Sequence, residues 1–68
     1  MKYQMVNYDD GSWRLYEVSG NYRRERCIGS SDDSHTRLNK WSKYEPIEDQ
    51  AMFPYTWITK GEAFLKCL

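Results

Sequence analysis

The sequence predicts an α+β fold: a small three- to four-stranded antiparallel sheet, built as a β-hairpin meander and covered on one face by one or two short helices. Three observations lead there. The dipeptides Asp10-Gly11 and Gly20-Asn21 interrupt runs rich in aromatic and β-branched residues, the pattern of strands joined by tight turns. The runs on either side of each turn can be paired so that one face collects apolar residues. Near the end, Thr59 and Glu62 hold the Thr-x-x-Glu spacing of a helix capping box, followed by Ala63, Phe64 and Leu65.

The hairpins set the first half, residues 1–29. Asp-Gly suits a type I′ turn, and a leading Gly suits type II′. Two-residue loops would put Tyr8 opposite Trp13 and Val6 opposite Leu15. In the second hairpin they would put Ser19 opposite Tyr22, Glu17 opposite Arg24 and Trp13 opposite Ile28. Side chains alternate across a strand. One face then gathers Val6, Tyr8, Trp13, Leu15 and Ile28, with Glu17 and Arg24 paired near its edge. The other gathers Tyr3, Met5, Arg14, Tyr16, Val18, Arg23, Glu25 and Cys27, a mixture too polar for a core and too aromatic for an idle surface. A longer loop over Asp9 to Ser12 is the alternative, and a one-residue slip would exchange the faces.

After Gly29 the composition shifts. Ser30-Ser31-Asp32-Asp33-Ser34 reads as a helix start or loop, because Ser and Asp oxygens accept from free backbone N–H groups. Residues 30–45 are therefore expected as a short helix or loop, with Leu38 and Trp41 on its apolar side. Pro46 closes it, since the residue before a proline avoids the helical basin. Residues 46–54 read as irregular, with Glu48 and Asp49 exposed. Residues 55–68 read as a fourth strand, Tyr55 to Ile58, and a terminal helix whose Phe64 and Leu65 or Leu68 dock on the sheet.

Sixty-eight residues suit one domain, one that buries only about 60% of its unfolded surface. The aromatic content of 16% offsets this, and three Trp and six Tyr exceed what a minimal core needs. Surplus Tyr and Trp are typical of binding hot spots. Formal net charge is zero, which argues against a dedicated nucleic-acid binder. Charge is uneven, however: Gly11 to Lys43 carries seven Lys or Arg against four Asp or Glu, a net of +3. Cys27 and Cys67 are too few for a disulfide framework and read as reduced thiols. With a polar N-terminus and no apolar run of membrane-spanning length, the chain is expected to be a complete small intracellular protein, cytoplasmic and without membrane association.

No chemistry-bearing motif stands out. His35 is the only histidine, and a metal site needs several ligands converging on one point. No metal or cofactor is expected. A Cys27–His35 nucleophile pair would also need an orienting group and an oxyanion site, and naming Asp32 or Asp33 as the orienter would be selection after the fact. Asp9-Asp10 and Asp32-Asp33 sit where turns and caps favour Asp. The four glycines are dispersed, so no phosphate loop is present. The densest charge cluster is Arg23-Arg24-Glu25-Arg26. With Arg14 and Tyr16, Arg23 would form a basic–aromatic patch able to contact phosphates, stack on bases or meet an acidic protein surface.

Gly11-Ser12-Trp13-Arg14-Leu15-Tyr16 through Tyr22-Arg23-Arg24-Glu25-Arg26-Cys27-Ile28-Gly29, with a helix after it, resembles a plant AP2 domain or the arm-binding domain of phage integrases. That resemblance implies a sheet laid in the major groove of duplex DNA, with Arg14, Tyr16 and Arg23 facing it. Small size, aromatic richness and missing chemistry are also similar to accessory proteins of phages and mobile elements. The leading expectation is a non-enzymatic protein-binding module, an inhibitor or modulator that occludes a site on a host or defence protein complex. Its anchors would be Arg14, Tyr16, Arg23, Trp41 and Tyr44. DNA binding by the sheet is the alternative, and an unpaired strand edge leaves room for a homodimer.

Overall fold

The computed structural model describes residues 2–30, 33–47 and 54–68, with 33–35 as backbone only. Among the described residues, six strands and one helix follow in order: β1 (Lys2–Asn7), β2 (Ser12–Ser19), β3 (Tyr22–Ser30), β4 (Asp33–Leu38), β5 (Glu45–Pro46), β6 (Tyr55–Ile58) and α1 (Lys60–Lys66). All pairings are antiparallel. The sheet runs β4-β3-β2-β1-β6, and β5 joins the edge of β3. The molecule is thus mostly sheet, with a single short helix among the described residues. The α+β expectation holds only in that coarser form.

The first hairpin departs from the two-residue loop. Asn7 stands opposite Trp13 and Met5 opposite Leu15, one residue off the Tyr8–Trp13 and Val6–Leu15 pairs expected. Asp9, Asp10 and Gly11 form the loop. The Tyr8 N–H donates to the Ser12 carbonyl at 2.9 Å, and the Gly11 N–H to the Tyr8 carbonyl at 3.1 Å. Only Gly11, at φ 86°, takes a positive φ there. A type I′ turn needs two such residues, whereas a three-residue loop needs one, at its last position. Asp10 accepts from the backbone N–H and hydroxyl of Ser12, which holds the longer loop closed. The slip moves Tyr3 and Met5 onto the Leu15 face and Val6 off it.

The second hairpin begins as the sequence predicts. Gly20 has φ 58° and Asn21 keeps a negative φ, as a type II′ turn requires. Ser19 faces Tyr22 and Glu17 faces Arg24. Beyond Tyr16–Glu25, however, Leu15 pairs with Cys27, so Arg26 is an extra residue. This β-bulge shifts everything after it. Trp13 faces Gly29 rather than Ile28, and Cys27 joins the Leu15 face that Ile28 was expected to occupy.

The second half differs more. Asp33–Leu38 is a strand on the outer edge of β3, where a short helix or loop over 30–45 was expected. An isolated helix of that length is not stable by itself, whereas an open strand edge offers backbone partners. Ser31, Asp32 and residues 48–53, including Glu48 and Asp49, lie outside the described residues. At the C-terminus the capping box forms: the Thr59 hydroxyl accepts from the Glu62 N–H at 3.2 Å, and Glu62 accepts from the Thr59 N–H at 3.4 Å. Such a cap is worth about 1 kcal/mol.

Cys27 and Cys67, expected as reduced thiols, are bridged, with Cα atoms 5.9 Å apart. The bridge fixes the rotation of α1. Ala63 and Cys67, one turn apart, face the sheet. Phe64, Leu65 and Leu68, expected to dock, are 68%, 68% and 77% exposed.

Both faces of the sheet carry a small core. On the helix side, buried Leu15, Cys27 and Ala63 pack with Tyr3, Met5, Trp13, Ile58 and Cys67. On the other, Val6, Tyr16 and Val18 pack with Tyr8 and Ile47. The single Val6–Trp13–Leu15–Ile28 core expected from the sequence is therefore divided, because the slip and the bulge each move one strand segment to the opposite face.

Candidate functional site

Residues 39–44 bond to the bulged stretch of β3 from its outer edge. The Asn39 N–H donates to the Arg26 carbonyl at 2.9 Å. The Ser42 hydroxyl accepts from the Glu25 N–H at 3.1 Å. Beyond this segment, β5 pairs with Tyr22 and Arg23. The chain thus runs along the edge of β3 and leaves a polar cleft of about 360 Å³ between itself and the sheet.

Arg14, Tyr16 and Arg23 all line this cleft. On strands, alternation puts them together: Arg14 and Tyr16 are two apart on β2, and Arg23 stands opposite Val18 on the same face. The Arg23 guanidinium lies 4.1 Å from the centroid of the Tyr16 ring. Tyr16 is only 8% exposed, so its ring is a buried platform that aims Arg23 rather than an anchor of its own. Arg14 pairs with Glu25 at 3.4 Å and sits 5.6 Å from the Tyr8 ring. Asn39 donates to the same Glu25 carboxylate at 3.2 Å. The Tyr8 phenol is pushed up to about 12, first by burial and then by its hydrogen bond and charge repulsion with Tyr16, against the lowering charges of Arg14 and Arg23.

Arg14, Arg23 and Lys43 line the cleft against two carboxylates, Glu25 and Glu45, a net of +1, while Arg24, also in the lining, has its charge paired with Glu17 outside it. Asn39, Ser42, Lys43 and Glu45 are the members that sequence reasoning missed. The first three carry no signal beyond membership of the +3 segment and Glu45 carries none, since a bulge and its edge partners leave no mark in composition.

Trp41 and Tyr44 are not brought into the cleft. Trp41 sits on the 39–44 segment and is 90% exposed. Tyr44 belongs to a second cluster, around the buried Glu17. Its hydroxyl donates to Glu17 at 3.1 Å, while Arg24 donates twice to the same carboxylate, at 3.1 and 3.2 Å. Arg26 lies 3.5 Å away. Burial works to raise the Glu17 carboxyl, but the hydrogen bonds from Arg24 and Tyr44 and the charges of Arg24 and Arg26 outweigh it and hold the group below the ordinary range. This cluster braces the 39–44 segment against the sheet.

Among the described residues, no three His, Cys, Asp or Glu side chains converge as metal ligands, and no helix is long and apolar enough to cross a membrane. No protein-family model, curated protein or solved structure matches the chain. The geometry holds guanidinium groups fixed in direction by an aromatic ring and a carboxylate, and the 39–44 segment leaves a large indole unburied.

Proposed function

We propose that this chain is a non-enzymatic binding module that places the Arg14–Arg23 cleft and the Trp41 side chain against an acidic protein surface and occludes it. The observation that carries this reading is Arg23 held over Tyr16 in a cleft of net positive charge, one wall of which is the 39–44 segment that presents Trp41. A stacked guanidinium is already ordered, so less side-chain entropy is lost on binding. An exposed Trp is a common hot-spot residue, and Arg is suited to bidentate contact with carboxylates.

The alternative, duplex DNA bound by the sheet, draws on the same positive charge. It receives less support, because a sheet reading a groove needs side chains standing clear of an open face, whereas Tyr16 is buried and the chain around Ile47 packs on that side.

The test is capture from nuclease-treated cell lysate by immobilised wild type, Arg23→Ala and Trp41→Ala proteins, each first checked for folding. A protein held stoichiometrically by the wild type and lost by both variants is the expected result. Retention by both variants rejects the named anchors. Recovery of nucleic acid without nuclease, with salt-sensitive binding, moves the DNA reading ahead.

A further inference from the structure

A second cavity, of about 460 Å³, lies on the other side of the sheet, between it and α1. It is separate from the cationic cleft and plays no part in the function proposed above. Leu15, Ala63 and Cys67 line it from within, and Phe64, largely exposed, stands beside them. Gly61 lines it without a side chain, and a Cβ there would meet only the Thr59 hydroxyl, at 4.0 Å. The lining holds two cations, Arg26 and Lys60, and no carboxylate. Arg26 reaches Glu17 at 3.5 Å, but that carboxylate already accepts two hydrogen bonds from Arg24. Arg26 is therefore the surplus cation of its cluster.

We propose that this cleft binds a small amphiphilic carboxylate, with an aliphatic or aromatic body against Leu15, Ala63 and Phe64 and its head group between Arg26 and Lys60. The volume lies in the range of small-molecule sites, which are mostly apolar with a few placed polar groups. Apolar contact supplies the driving force. The two cations select an anion over a neutral analogue, because a charge-assisted hydrogen bond beside an apolar wall is stronger than one in open water. Phe64, which the fold leaves in water, gains cover on binding.

The test uses the whole chain with its disulfide intact, titrated with decanoate below its aggregation threshold and, in parallel, with 1-decanol, followed by amide NMR. Saturable decanoate shifts confined to Tyr3, Leu15 and residues 60–67 are expected, with 1-decanol binding at least about tenfold more weakly. Lys60→Gln, at an exposed position on the first turn of α1, should weaken decanoate severalfold and leave 1-decanol unchanged. Gly61→Leu should fill the cleft and abolish both. Unsaturable or scattered shifts, equal binding of the two probes, or unchanged decanoate affinity in both variants overturns the proposal.

Discussion

Trp13 stands opposite Gly29 across β2 and β3, and its ring fills the space that a Cβ on Gly29 would need. The pair closes one end of the helix-side core, where Trp13 packs with Leu15 and Cys27. Gly29→Ala should therefore force the indole aside and destabilise the fold by about 1–3 kcal/mol, the usual range for overpacking. Thermal unfolding checks this, since 1 kcal/mol moves the midpoint by about 4–8 °C in a domain of this size. Gly61→Ala is the control: the new methyl meets nothing closer than 4.0 Å, and the change replaces a glycine in the first turn of α1, so the midpoint should stay or rise.

Glu17 holds Arg24, Arg26 and Tyr44 from a side chain only 7% exposed. Glu17→Gln keeps the shape but loses the charge. Because the arginines are about a third exposed and can rehydrate, the cost should be about 1–3 kcal/mol rather than that of a fully buried pair. The carboxyl's lowered folded pKa sets the sign with pH. Its stabilisation is complete above the ordinary Glu value of about 4.3 and is lost as pH falls through the folded value. Urea titrations across that range should show wild type and Glu17→Gln converging in acid.

Tyr8 behaves in the opposite sense. Its phenol is held neutral up to about 12, against about 10 in an unfolded chain. The contribution is complete below pH about 10 and lost as pH rises toward the folded value. Spectrophotometric titration of tyrosinate should show a late-ionising phenol that is absent in Tyr8→Phe. The same variant should flatten the alkaline loss of stability.

The bridge between Cys27 and Cys67 closes a loop with a sequence separation of 40. Chain entropy alone assigns such a cross-link about 4 kcal/mol, a large share of what a domain this small can hold. Reduction, or Cys67→Ser, should lower the urea midpoint by a corresponding amount. It should also raise amide exchange in α1 before the sheet, since Ala63 is the helix's only buried residue. Non-reducing peptide mapping should recover the two cysteines in one linked fragment.

The legible parts of this fold were the ones written in local chemistry. Gly20-Asn21 specified its turn, Glu17 its partner Arg24, and Thr59 with Glu62 the start of α1. The Asp10-Gly11 turn was misread because the same dipeptide serves a two- or a three-residue loop, and the choice turned on Ser12 bonding back to Asp10. β4 was missed because its stability comes from the edge of β3, a long-range term that leaves no period in 33–38. For the candidate site, the grouping of Arg14, Tyr16 and Arg23 followed from strand alternation. The burial of Tyr16 and the arrival of Lys43 depended on the path of 39–47, which no spacing rule encodes.

The extra residue at Arg26 has a consequence for how this chain can vary. A strand is read two residues at a time, so an extra residue left in the ladder would reverse the facing of all that follows. Carried on unchanged, the register of Glu17 and Arg24 would set Cys27 opposite Arg14, on the far side of the sheet from Cys67. The bulge takes up Arg26 instead, and Cys27 stays opposite Leu15 on the helix side. The side chain at that point matters less than the bulge that absorbs it. Deleting the residue would let Cys27 follow Glu25 directly in a regular ladder, still opposite Leu15, so a chain one residue shorter here could keep the same covalent link.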